Sequence, residues 1–229
     1  MQLTVLGSGS SGNCYLLHNK AECLVIEAGL PFKEVKKSLD YDISGIKGII
    51  VSHCHGDHAK YCDEYAKAGI PIFKAYEIMT PDISFGNFYI KPFKVEHDVE
   101  CYGFVIHHRE IGKLVFITDT FYVQYRFTDA NHIMVECNYK QSILDENYYS
   151  GVIHKALRDR TMKSHFELEN VKTFLKENNS HHLKSVVLLH LSDRNSDAKL
   201  FKEDCQRVTD KPTYIAESGL SINLDLVPF

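Results

Sequence analysis

The sequence predicts an α/β fold of four layers, αββα, in which two β-sheets pack face to face with helices on their outer sides. Three observations lead there. Strand-like apolar runs dominate the chain. The order of elements is sheet then helix, twice over. The 229 residues, 44% of them hydrophobic, fit one domain spanning residues 1–229 with a sizeable core.

Runs rich in β-branched, aromatic and aliphatic residues mark strands at 2–6, 14–18, 23–27, 48–52, 71–74, 86–95, 101–108, 113–117, 132–136, 185–189 and 213–216. Helices are expected over Pro31 to Leu39, Ala59 to Ala68, Phe166 to Asn178 and Asp197 to Cys205. Ser164, with Glu167 three residues on, has the spacing of a capping box. Leu168, Val171, Phe174 and Leu175 then recur at helical spacing as a stripe facing the core. Lys20, Lys33, Lys36 and Lys37 read as a solvated face.

Composition narrows the function classes. Charged residues make up 24% of the chain, which argues for a folded protein. No run approaches the roughly 20 apolar residues of a membrane span, and Met1 to Leu6 reads as a strand, not a secretion signal. Seven cysteines, an odd number without paired spacing, give no disulfide framework and lead us to expect a cytoplasmic protein. A net charge of −4 offers no broad basic surface for nucleic acid, although bound divalent cations would make a cleft locally positive.

The chemistry concentrates at His53-Cys54-His55-Gly56-Asp57-His58, an H-x-H-x-D-H run directly after the apolar segment Gly48 to Ser52. In an extended loop His53 and His55 point the same way, while Asp57 and His58 turn to a second centre. Imidazole and carboxylate donors suit zinc, manganese or iron. Cys54, interleaved between two histidines, is expected to face away from the ions. Three further polar residues follow apolar runs in the same manner: His97-Asp98, Asp119 and His190. Gly7 to Gly12 forms a Gly/Ser loop after the first strand; it lacks the lysine and spacing of a nucleotide P-loop and is expected to be a tight, flexible connection, the functional alternative being that it lines a cleft rim.

These motifs resemble the metallo-β-lactamase superfamily, over nearly the whole chain. The order H-x-H-x-D-H, lone His, lone Asp, final His is that of the superfamily. Gly7-Ser8-Gly9-Ser10-Ser11-Gly12-Asn13, His97-Asp98, Thr118-Asp119-Thr120, Glu136-Cys137-Asn138 and His190-Leu191-Ser192 are similar to YycJ-type hydrolases in particular. The resemblance implies the αββα sandwich and two divalent ions, with zinc the first expectation and manganese the second. One ion would be held by His53, His55 and His97 and the other by Asp57, His58 and His190, with Asp119 bridging. Glu27 stands where the superfamily usually has Asp, in a supporting position behind the loop. The resemblance also suggests a homodimer.

Two ions so held activate water for hydrolysis, and the bond broken depends on what protonates the leaving group. Ribonuclease Z-like branches pair a glutamate with a histidine for this purpose; Glu136 and His165 match those positions, and Asp57 would orient the water. The leading expectation is exonucleolytic cleavage of nucleic acid. The alternative is hydrolysis of cyclic nucleotides, as in phage-encoded members that counter bacterial cyclic-nucleotide immunity. A non-catalytic scaffold stapled by metal comes last. The doublets His107-His108 and His181-His182 are expected at the surface or at sheet edges. Tyr122, Tyr125, Tyr148 and Tyr149 are candidates for stacking on a base.

Overall fold

A computed structural model describes residues 1–78 and 80–227. The strands are β1 (Gln2–Gly7), β2 (Cys14–His18), β3 (Cys23–Ile26), β4 (Ile46–Val51), β5 (Ile72–Lys74), β6 (Ile83–Phe85), β7 (Phe88–Val95), β8 (Cys101–His108), β9 (Gly112–Ile117), β10 (His132–Glu136), β11 (Ser185–Leu189), β12 (Thr213–Ile215) and β13 (Ser221–Asn223). The helices are α1 (Phe32–Ser38), α2 (Gly56–Ala59), α3 (Cys62–Lys67), α4 (Gln141–Tyr149), α5 (Lys155–Ser164), α6 (Leu168–Asn178) and α7 (Ala198–Thr209). Two sheets form, in the orders β13-β1-β2-β3-β4-β5 and β12-β11-β10-β9-β8-β7-β6.

The alternation of side chains along each strand builds the layers. Leu3, Val5, Tyr15, Leu17 and Ile50 of the first sheet meet Ile90, Phe104, Phe116, Met134 and Leu189 of the second in one core between the sheets. The intervening residues Cys14, Leu16, Val25, Ile49 and Val51 face outward under Phe32 and Val35 of α1 and Tyr65 of α3. On the opposite side, Val115, Ile117, Val135 and Leu188 are covered by Leu168, Val171, Phe174 and Leu175 of α6 and Phe201 of α7. The four expected layers are present, and the expected α6 stripe is the face that closes the last one.

Several elements differ from the sequence expectation. The run 86–95 holds the single strand β7, and a short strand before it, β6, was not expected; Gly86, at φ +58°, turns β6 back onto β7. The expected helix 59–68 is shortened to α3 and preceded by the single turn α2, because the Tyr61 N–H donates to Ala28 O and the Ala28 N–H to His58 O, tying the segment between them to the loop after β3. Like β6, the strand β13 and the helices α4 and α5 were not expected. Leu144 of α4, and Thr161 and Ser164 of α5, are the only residues these two helices bury, so no apolar stripe announces them. Their presence also overturns the capping box. Ser164 ends α5, and α6 is capped by Glu167, whose carboxylate accepts from the N–H groups of Glu169 (2.6 Å) and Asn170 (3.3 Å). His108 is buried, not exposed, with Nε2 3.1 Å from Glu22 Oε1. Among the described residues no helix is long and apolar enough to cross a membrane.

Candidate metal centre

The H-x-H-x-D-H run leaves the end of β4 and continues into α2. Its tight course depends on Gly29, where a Cβ atom would stand 1.8 Å from the Asp57 carbonyl oxygen. Asn13, at the end of the Gly/Ser loop, fixes the run from the other side. Its N–H donates to Asp57 O at 2.7 Å, and its amide nitrogen lies 3.0 Å from His58 Nε2. Ser8, in the same loop, accepts the His190 N–H at 2.9 Å. Asn13 and Ser8 had no role in the sequence reading beyond belonging to a matching stretch.

The second sheet brings in the remaining residues at strand ends. His97 follows β7, Asp119 follows β9, Glu136 ends β10 and His190 follows β11. His165 caps the C-terminus of α5 in an extended conformation, so it closes one helix instead of opening the next. All nine residues meet in one place. His53, His55, His97 and Asp119 form one group whose donor atoms lie within 4.8 Å of one another; Asp57, His58, Asp119 and His190 form a second; Asp119, Glu136, His165 and His190 form a third. Two residues here hold positive φ, His190 at 52° and Glu27 at 65°, a strained backbone that surrounding contacts must maintain.

The donor set fits cations. The His97 Nδ1–H donates to Ser164 O at 2.8 Å, which leaves Nε2 bare and facing His55 Nδ1 at 3.3 Å. His53 Nε2 faces the same His55 nitrogen at 3.1 Å. Three ring nitrogens aimed at one another share too few protons to pair, so a positive ion is the natural partner. Burial lowers the His97 pKa, and burial together with the nearby His58 takes His53 to about 2, so both rings stay neutral and available as donors.

On the other side carboxylates dominate. Asp119 Oδ1 lies 3.4 Å from His58 Nε2 and 3.0 Å from His190 Nδ1, while its Oδ2 is 4.0 Å from His97 Nε2. The two oxygens therefore address the two sides. Burial opposes ionisation of Asp119, but the charges of His190 and His58 outweigh it and hold the carboxyl well below its usual range. Reciprocally, burial works against charge on His58 and His190, and Asp119 overcomes it. Glu27 sits behind His58, its Oε2 3.4 Å from Nδ1, and accepts the Ser52 N–H at 3.2 Å, the supporting position expected of it.

Glu136 is fully buried and fully engaged. Oε1 accepts from His165 Nδ1 at 2.6 Å, and Oε2 takes the N–H groups of Thr120 (3.0 Å) and Phe166 (3.1 Å). For His165, burial opposes the charged form, but the Glu136 carboxylate raises the pKa above the ordinary histidine value. A cleft of about 600 Å³ opens beside this pair, walled by Ser8, Gly9, Ser10, His154, His165 and Arg194. The Gly/Ser loop thus lines the rim. Cys54 is exposed.

Comparison with known proteins agrees with this architecture. Residues 7–71 match the model of the metallo-beta-lactamase superfamily. The exodeoxyribonuclease YycJ of Bacillus anthracis is 26% identical, over 92% of this chain and 90% of its own. Among solved structures, the metallo-beta-lactamase fold protein YhfI from Bacillus subtilis superposes with a TM-score of 0.72 at 19% identity, covering 97% of this chain and 99% of its own. Human tRNase Z, short form, gives 0.61 at 13% identity, covering 99% of this chain and all of its own.

Two sheets, a strand-end histidine–aspartate cluster and these likenesses make the chain a metallo-β-lactamase-fold hydrolase that works with divalent metal. Within that class its sequence is similar to YycJ and its fold to ribonuclease Z.

Proposed function

We propose that this hydrolase is a two-metal phosphodiesterase that removes nucleotides from an end of a nucleic acid. The observation that carries the reading is the 2.6 Å contact between His165 and the buried Glu136, placed between the carboxylate side of the cluster and an open cleft. Relatives named exodeoxyribonuclease support the polymer as substrate.

His53, His55 and His97 would hold one ion and Asp57, His58 and His190 the other, with Asp119 between them. Zinc suits this set first and manganese second. When bound, the ions supply Lewis acidity that lowers the pKa of water and neutralises charge growing on phosphate oxygens. The chain does the rest. Asp57 is held ionised against its burial by hydrogen bonds from His190 and His58, and its carboxylate orients the attacking water. His165, protonated beside Glu136, delivers its proton to the departing oxygen or binds the phosphate as a cation. The Gly/Ser loop lets the substrate backbone approach closely, and Arg194 adds a positive side chain to the cleft wall.

Hydrolysis of cyclic nucleotides is the second reading, favoured by the net charge of −4 and by a cleft of about 600 Å³, a volume ordinary for small-molecule sites. Product analysis separates them. Protein loaded with zinc or manganese is offered labelled single- and double-stranded oligonucleotides and 3′,5′-cyclic nucleotides, with Asp57→Ala as control. Stepwise release of mononucleotides from one end supports the exonuclease. Linear monophosphates from the cyclic compounds, with oligonucleotides intact, replace it with the cyclic phosphodiesterase.

A further inference from the structure

An imidazole that gives one nitrogen to a metal must have its other nitrogen held, or the ring turns and the tautomer is lost. Three rings of the cluster have such a partner close by. His53 Nδ1 is 2.9 Å from Ser52 Oγ, His97 Nδ1 is 2.8 Å from Ser164 O, and His58 Nδ1 is 3.4 Å from Glu27 Oε2. His55 is oriented the other way round. Its Nδ1 faces the two neighbouring rings, so Nε2 is the nitrogen that needs a holder. The carboxylate that meets it is Asp98, whose Oδ1 lies 3.5 Å away.

We propose that Asp98 is the positioning residue for His55: Oδ1 accepts the Nε2–H and so keeps Nδ1 bare toward the metal, while Oδ2 is tied to Arg160 of α5. The Asp98 Oδ2 to Arg160 Nε distance is 3.5 Å. In this reading Asp98 is not itself a donor; the group whose donor atoms converge is His53, His55, His97 and Asp119. The Asp98 Oδ1 is also 3.0 Å from His97 Nε2, an atom without a hydrogen because Nδ1–H is engaged with Ser164 O. Two lone pairs at that distance repel, and a cation held by the three imidazoles offsets the repulsion. The same helix therefore serves the first metal position twice, through Ser164 O on His97 and through Arg160 on Asp98. Arg160 is 62% exposed, so solvent screens its part and its effect is the smaller.

This inference rests on the metal reading of the site, and its test is a binding measurement independent of turnover. Stepwise zinc affinities of the full chain are measured by competition with a chromophoric chelator, with native mass spectrometry counting ions and cobalt spectra reporting the ligand field. Asp98→Ala is expected to weaken one of the two steps about 10–100-fold and to alter the cobalt spectrum. Asp98→Asn, which keeps an oxygen acceptor for His55, should lose less than tenfold, and Arg160→Ala about threefold. Zinc affinity within twofold of wild type in Asp98→Ala overturns the proposal. A loss in Asp98→Asn equal to that in Asp98→Ala also overturns it, by making Asp98 a ligand. An unchanged Arg160→Ala removes the arginine from it. Wild-type chain that binds no divalent ion refutes the metal reading itself, a different failure.

Discussion

The first sheet contributes four residues of the cluster from six consecutive positions at the end of β4, whereas the second sheet and its helices contribute the other five one at a time. His53, His55, Asp57 and His58 are set mainly by local backbone, by Gly29 and by Asn13. His97, Asp119, Glu136, His165 and His190 come together only when β7, β9, β10, α5 and β11 have all taken their places. The contiguous half resists local disorder because its spacing is covalent. The assembled half also holds the pair Glu136–His165, so in the proposed scheme proton transfer rests on that half alone, whereas metal retention draws on both.

Substitutions can break this contrast. Asp57→Ala strikes the contiguous half and should reduce turnover on the order of 10⁴-fold while also lowering bound metal, read by activity assay and metal analysis. Wild-type activity in that variant would end the two-metal scheme. His165→Ala strikes the assembled half and should reduce turnover on the order of 10³-fold with metal content unchanged. Metal loss there would mean that His165 is a ligand.

Core truncations sharpen the comparison. Ile50 of β4 and Leu189 of β11 both face the core between the sheets, and neither is exposed to solvent. Ile50→Ala and Leu189→Ala should each cost about 2–5 kcal/mol in urea unfolding. Leu189→Ala should weaken zinc binding more, because His190 takes its position from the strand it truncates. Equal losses of affinity would erase the distinction between the halves.

The smallest effect concerns the far end of the second sheet. His132, which opens β10, is buried, with Nδ1 2.8 Å from Ser185 Oγ, and burial takes its pKa down to about 4. The unfolded chain takes up this proton near pH 6.5 and the folded chain only near 4. Stability from the neutral ring is therefore complete above pH 6.5 and is lost as pH falls through that window, by up to about 3 kcal/mol. Urea midpoints of wild type and His132→Gln, compared between pH 7 and 4, should converge as pH falls. A difference independent of pH would remove this titration from the account.

The parts of the fold legible in the sequence are those whose signal is periodic. Strands with alternating burial and the α6 stripe of Leu168, Val171, Phe174 and Leu175 are of this kind. The helices α4 and α5 carry almost no buried apolar side chains, so neither period nor composition betrays them. That omission placed His165 at the start of a helix when it stands at the end of one. His108 looked like an edge histidine because its partner Glu22 is 86 residues away.

By itself the sequence determined the layered α/β class, the six-residue donor run and the strand-end positions of His97, Asp119 and His190, because covalent spacing and side-chain period act over a few residues. Tertiary structure alone decided that Ser164 O selects the His97 tautomer, that Asn13 and Ser8 lock the Gly/Ser loop onto the cluster, and that Asp98 meets both His55 and Arg160. These are hydrogen bonds and charge contacts between segments far apart in the chain, and their geometry exists only once the two sheets have packed.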